Sequence, residues 1–170
     1  MQGSGVSTVD WTYELLGGLV KAGVEFVVVG GAAAMMLGAP IVTQDIDIVH
    51  RRTAENVDRL LGWLFAHGAY HRFDLANRKL PPTRDLLLGH GHLNLMTDLG
   101  ILDVLCELAP GEGYDEILAD TVVLESESVR VCVLDLPRLI AVKSRAGRPK
   151  DRAVLPILIA TLDERKHQKG

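Results

Sequence analysis

Two periodicities divide this chain into elements. Residues 25–29 form an unbroken β-branched and aromatic run, the pattern of a strand buried on both faces. Residues 45–49 read Asp-Ile-Asp-Ile-Val, a period-2 alternation that predicts a second strand with Ile46 and Ile48 on one face and Asp45 and Asp47 on the other. Helical spacing is clearest after Thr53, where Val57, Leu60, Leu61, Leu64 and Phe65 recur at i, i+3, i+4, i+7 and i+8. Gly68 ends that helix. Residues 10–22 read as an earlier helix closed by Gly23. Between the first two strands, Gly30-Gly31 turns the chain, residues 32–37 favour a short helix, and Gly38-Ala39-Pro40 breaks it.

The second half is richer in strands. Short strands are expected at residues 70–73, 92–96, 101–107, 121–124 and 129–134, with tight connections at 97–100 and 125–128. Residues 74–91 are polar, contain Pro81-Pro82 and show little periodicity, so they read as a long loop with one irregular turn. Residues 111–119 read as a loop and short helix. Pro137 suits the first turn of a helix reaching Ala146. After Gly147-Arg148-Pro149 a last helix covers residues 150–166, with Pro156 marking a kink or a late start. The fold class is α/β (α+β), a mixed sheet with helices packed mainly on one side. The expected organisation is an N-terminal helix over residues 1–23 packed on a single domain at 24–170. Met1 to Gly5 reads as a flexible terminus or a cloning remnant.

Composition narrows the class. The 170 residues are 48% hydrophobic and 24% charged, which suits one soluble domain with a real core. A net charge of −4 gives no global attraction to nucleic acid. Cys106 and Cys132 each sit in an apolar run and read as small buried hydrophobes in a reducing compartment. The longest apolar stretch, residues 26–42, is too short and glycine-rich to span a membrane, so the expected location is cytoplasmic.

Candidate chemistry centres on carboxylates in apolar strands, where an unpartnered charge is costly to desolvate. Asp45 and Asp47 share one face. Asp103 stands alone in Gly-Ile-Leu-Asp-Val-Leu, as an edge-strand charge, a third metal ligand, or a base for an attacking hydroxyl. Gly30 and Gly31 allow backbone to approach a phosphate, with the following helix start favouring the anion. Thr43 is placed to bond a phosphate or its own strand. Lys143 either snorkels at a helix edge or reaches a triphosphate. Arg148 and Lys150 read first as solvated surface and second as phosphate or RNA contacts. Asp151 pairs with Lys143 or caps the last helix. His90 and His92 form a His-x-His without a third ligand at suitable spacing, so they read as loop and strand histidines. Trp11 and Trp63 fall in helical patterns as core or groove surface.

Gly30-Gly31, Thr43-Gln44-Asp45-Ile46-Asp47-Ile48 and Asp103 resemble the DNA polymerase β-type nucleotidyltransferase superfamily. Leu139-Ile140-Ala141-Val142-Lys143 and Gly147-Arg148-Pro149-Lys150-Asp151 are similar to small bacterial nucleotidyltransferase-like proteins of the abortive-infection and toxin–antitoxin group. The resemblance covers residues 25–151. It implies Mg²⁺-dependent transfer of a nucleoside monophosphate from an NTP to a hydroxyl of a tRNA, a protein or a small molecule. It implies metal ligation by Asp45, Asp47 and Asp103, and triphosphate contacts from Gly30, Gly31, Thr43 and Lys143. The second glycine replaces a serine that many active members carry. The alternative is therefore a catalytically inactive binding protein, or a toxin–antitoxin component with a cognate partner.

Overall fold

The computed structural model describes residues 8–126 and 129–170; Met1 to Gly5 and the centre of the connection at 125–128 lie outside the described residues. Among the described residues the chain forms one seven-stranded mixed sheet and seven α-helices. The order begins α1 (Thr8–Lys21), β1 (Phe26–Val29), α2 (Gly30–Met36), β2 (Asp45–His50), α3 (Ala54–Ala66) and β3 (Tyr70–His71). It continues with α4 (Arg84–Leu88), β4 (Leu93–Thr97), β5 (Gly100–Leu105) and α5 (Tyr114–Ile117). β6 (Thr121–Glu125), β7 (Arg130–Leu134), α6 (Leu136–Ala146) and α7 (Pro149–Gln168) complete it. The strands lie side by side as β3-β4-β5-β2-β1-β7-β6.

Register explains the two faces of this sheet. β2 runs antiparallel to β1 and parallel to β5, and β5 runs antiparallel to β4. One rung therefore aligns Leu93, Val104, Ile48, Val28 and Val133, all buried. The next rung aligns Asn94, Asp103, Asp47 and Val29 on the opposite face. The apolar rungs join Leu15, Leu16 and Leu19 of α1 and Val57, Leu60 and Leu64 of α3 in one core. This is where the hydrophobic pattern of the sequence is realised, at roughly 25 cal/mol for each Å² of apolar surface removed from water.

One buried polar side chain beside this core is fully engaged, whereas the Trp63 Nε1 inside it has no hydrogen-bond partner. Asn56 is fully buried on α3, accepts from the Glu25 N–H at 2.7 Å and donates to the carbonyls of Glu25 and Arg51 at 2.9 and 2.8 Å. It thus ties the entry of β1 to the exit of β2, the two strands that carry the glycine turn and the paired aspartates. Helix α1 closes as expected at Gly23, in a paired motif of Val24 N–H to Leu19 O and Gly23 N–H to Val20 O.

Several local expectations are refined. The strand expected at 70–73 stops at His71, and the polar stretch after it contains one helical turn, α4, capped by the Thr83 side chain. Helix α7 starts at Pro149 and continues through Pro156, so that proline is an interior residue and not a late start. Cys106 is buried and Cys132 half-buried, both as free thiols. Trp63 is buried and Trp11 packs partly buried against the same core.

Candidate active site

The polar rung of the sheet opens into a cleft of about 620 Å³. Asp45, Asp47 and Asp103 line it from β2 and β5, and Lys143, Arg148 and Lys150 line it from the ends of α6 and α7. Gly30 and Val29 form its floor at the end of β1. The parallel pairing of β2 with β5 places Asp47 directly beside Asp103, one strand spacing away. Asp45 follows two residues earlier on the same face.

Crowding sets the electrostatics. Burial, then the charge and hydrogen bonding of Asp103, then the charge of Asp45 push the Asp47 carboxyl up to about 7, against the opposing pull of Lys143. Gly30 makes this position possible. Its φ is +64°, in the left-handed region, and a Cβ built there would lie 2.5 Å from Asp47 Oδ2. Any side chain at residue 30 would displace the carboxylate. At Gly31 the nearest neighbour of a built Cβ is Thr43 Cβ at 3.4 Å, a tight fit without the same conflict. The Thr43 hydroxyl is engaged by its own strand, donating to Asp45 O at 3.1 Å and accepting from Asp45 N–H at 3.3 Å.

The opposite wall is built around Asp151, whose side chain is 0% exposed. Asp151 accepts from Lys143 Nζ at 3.1 Å and from Arg148 Nε at 2.6 Å. The Arg148 hydrogen bond, aided by Lys143, holds its carboxyl down at about 2. One buried anion therefore fixes two cations at the edge of the cleft. A closed ion pair of this kind orients its members more than it stabilises the fold.

Sequence reading missed Arg72. It follows β3, and its N–H donates to Asn94 O at 3.0 Å, which extends the polar rung by one strand. Its Nη2 lies 2.9 Å from both oxygens of Asp103 and 3.7 Å from Asp45 Oδ2. The guanidinium stacks on Phe73, with Cζ 4.2 Å from the ring centroid. The only available signal was a polar residue at the end of a short strand; the register that delivers it to Asp103 is tertiary. The two histidines part company. His92 lines the cleft, whereas His90 faces Arg52 at 3.2 Å.

The donor set suits a hard divalent cation. A carboxylate pushed up as Asp47 is gains when its proton is replaced by a metal, and Mg²⁺ characteristically takes one or two carboxylates and completes its shell with phosphate oxygens and water. Asp45 and Asp47 meet that requirement. Among the described residues no group of three His, Cys, Asp or Glu side chains is arranged to hold a metal. Asp103 is turned to Arg72 instead.

No family model matches the sequence, and no curated protein matches it by sequence. Solved structures do match the fold. One is a lincosamide antibiotic adenylyltransferase bound to lincomycin, with a TM-score of 0.61 at 13% identity, covering 89% of this chain and 96% of that one. Another is a provisionally assigned nucleotidyltransferase from Thermotoga maritima, with a TM-score of 0.54 at 16% identity, covering 88% of this chain and 91% of that one. No described helix is long and apolar enough to cross a membrane. The sheet order, the carboxylate rung and these likenesses together establish that the chain has the nucleotidyltransferase fold.

Proposed function

We propose that the cleft binds a nucleoside triphosphate with a divalent ion, Mg²⁺ by preference, and transfers its nucleoside monophosphate to an acceptor hydroxyl. The observation that carries this reading is the meeting of Asp45, Asp47 and Asp103 with Lys143 and Arg148 across one cleft. Asp45 and Asp47 hold the ion, which supplies positive charge at the triphosphate when bound. Gly30 lets backbone approach the phosphates closely. Lys143, fixed by Asp151, offsets negative charge on the departing pyrophosphate. The acceptor oxygen bonds to the α-phosphorus, and the bond from that phosphorus to the bridging oxygen breaks. The electron pair leaves with pyrophosphate, and the hydroxyl proton passes to Asp103.

A small hydroxyl compound is the acceptor that the site suits best. The cleft volume falls in the range of small-molecule sites, and Phe73, Leu105 and Leu108 give it an apolar side next to Asp103. The lincosamide adenylyltransferase of nearly the same length is named for a compound of this size. A tRNA or protein acceptor finds less support in a net charge of −4. A second reading, nucleotide binding without transfer, draws support from the ion pair that engages Asp103.

The test is transfer of label from α-³²P-labelled nucleoside triphosphates, with Mg²⁺, into a panel of hydroxyl compounds, tRNA and cell extract. The expected result is Mg²⁺-dependent labelling of a small molecule with release of pyrophosphate, absent in folded Asp45→Asn/Asp47→Asn protein. Absence of labelling in every mixture would favour the binding-only reading.

A further inference from the structure

Asp45, Asp47 and Asp103 bring three carboxylates to one cleft, and the chain sets a cation of its own beside Asp103. Arg72 Nη2 sits 2.9 Å from each Asp103 oxygen and 3.7 Å from Asp45 Oδ2. A single nitrogen thus lies among three carboxylate oxygens from two strands, where a bridging ion would have to contact the same atoms. We propose that Arg72 is a built-in cation that takes the place of a second metal ion, so that the site accepts one divalent ion, on Asp45 and Asp47. This rests on the metal-binding reading above and specifies its stoichiometry.

Three features make Arg72 a fixture and not a surface residue that happens to fall inward. Its side chain is only 17% exposed, and that of Asp103 15%. Its backbone is pinned to Asn94 O, the cross-strand neighbour of Asp103, so the guanidinium needs only to bend across one strand. Its Cζ is covered by Phe73. The pairing is also poor as a purely structural ion pair. Both Asp103 oxygens are served by one nitrogen, and the buried Nε has no partner. An unpartnered buried donor is a cost that a bidentate pair would have avoided. The arrangement gains instead by placing one positive charge centrally among the carboxylates. With one divalent ion added, the charges of Asp45, Asp47 and Asp103 are balanced. A second ion would have to approach the guanidinium at close range against like-charge repulsion.

Arg72 then acts as a positioning residue. It keeps Asp103 off the metal and orients it toward the acceptor side of the cleft. The test counts Mn²⁺ ions bound per chain, by the loss of the free-ion EPR signal, with metal alone and no nucleotide. Wild-type protein is expected to bind one ion. Arg72→Met and, as a second neutral variant should methionine compromise folding, Arg72→Gln are expected to bind two. The double variant Arg72→Met/Asp103→Asn should return to one. Two ions in the wild type, or one ion in both wild type and the neutral variants, would overturn the proposal while leaving metal binding intact. No ion in any of these proteins would overturn the metal-binding reading and this proposal with it.

Discussion

Asp47 offers the sharpest test of how the site is strained. Its carboxyl is pushed up to about 7 from a reference value of 3.8 by burial and by Asp103 and Asp45. A raised carboxyl favours the protonated folded state. The stability linked to it is complete below the unfolded value of about 3.8 and is lost as pH rises toward 7. At about 1.4 kcal/mol per pH unit, the metal-free protein forgoes ~4 kcal/mol at pH 8 relative to pH 3. Asp47→Asn keeps the shape and removes the charge. It should therefore stabilise the metal-free protein by ~4 kcal/mol near pH 8, a rise of roughly 10 °C in a domain of this size. Near pH 4 the same substitution should change little. His50, whose basicity is lowered chiefly by burial, contributes the opposite trend, with stability lost as pH falls below its ordinary value of 6.5. It is common to both proteins and cancels in the difference. Thermal denaturation in EDTA across this pH range measures the gap. An Asp47→Asn protein that is no more stable than wild type at pH 8 would refute the electrostatic reasoning, as would a gap that does not close in acid.

Other expectations follow from the same geometry. Divalent ion affinity, followed by calorimetry, should strengthen as pH rises through about 7, because binding at Asp47 displaces its proton. Gly30→Ala combines a left-handed backbone with a clash against Asp47 Oδ2; it should cost roughly 2 kcal/mol or more in urea denaturation and weaken ion binding as well. Asp151→Ala releases Lys143 and Arg148; nucleotide affinity should fall by roughly tenfold while metal-only binding is retained, read by titration with and without nucleotide. Asn56→Ala removes three partly buried hydrogen bonds of a residue that does not line the cleft and should lower stability by about 3 kcal/mol without altering metal stoichiometry.

Much of the fold was legible in the sequence because its strands carry their burial in plain periodicity. The run Phe26 to Val29 is buried at every position, and Ile46 and Ile48 alternate with Asp45 and Asp47 as the pattern required. The glycine pair was legible as the break after β1, although it forms the first two residues of α2, two residues before the expected helix start, and the reason for Gly30 lies in Asp47, seventeen residues later and across a strand pairing. What the sequence could not carry was register. Nothing local in Arg72 announces that β3 will pair with β4 and deliver a guanidinium to Asp103 on β5. The role of Asp103 stayed divided between ligand and base for that reason. Thr43 was likewise open between phosphate and strand, and its hydroxyl makes two backbone contacts to Asp45. Asp151 was open between pairing and capping until α6 and α7 were seen to enclose it completely.

The most direct test of the central claim is calorimetric titration of the metal-free chain with a non-transferable analogue of each nucleoside triphosphate, with and without Mg²⁺. The account predicts one nucleotide bound per chain, dependence on Mg²⁺, and a loss of roughly tenfold or more in affinity in folded Asp45→Asn/Asp47→Asn protein. Failure of every analogue to bind at millimolar concentration, or binding that is indifferent both to Mg²⁺ and to the two aspartates, would contradict it.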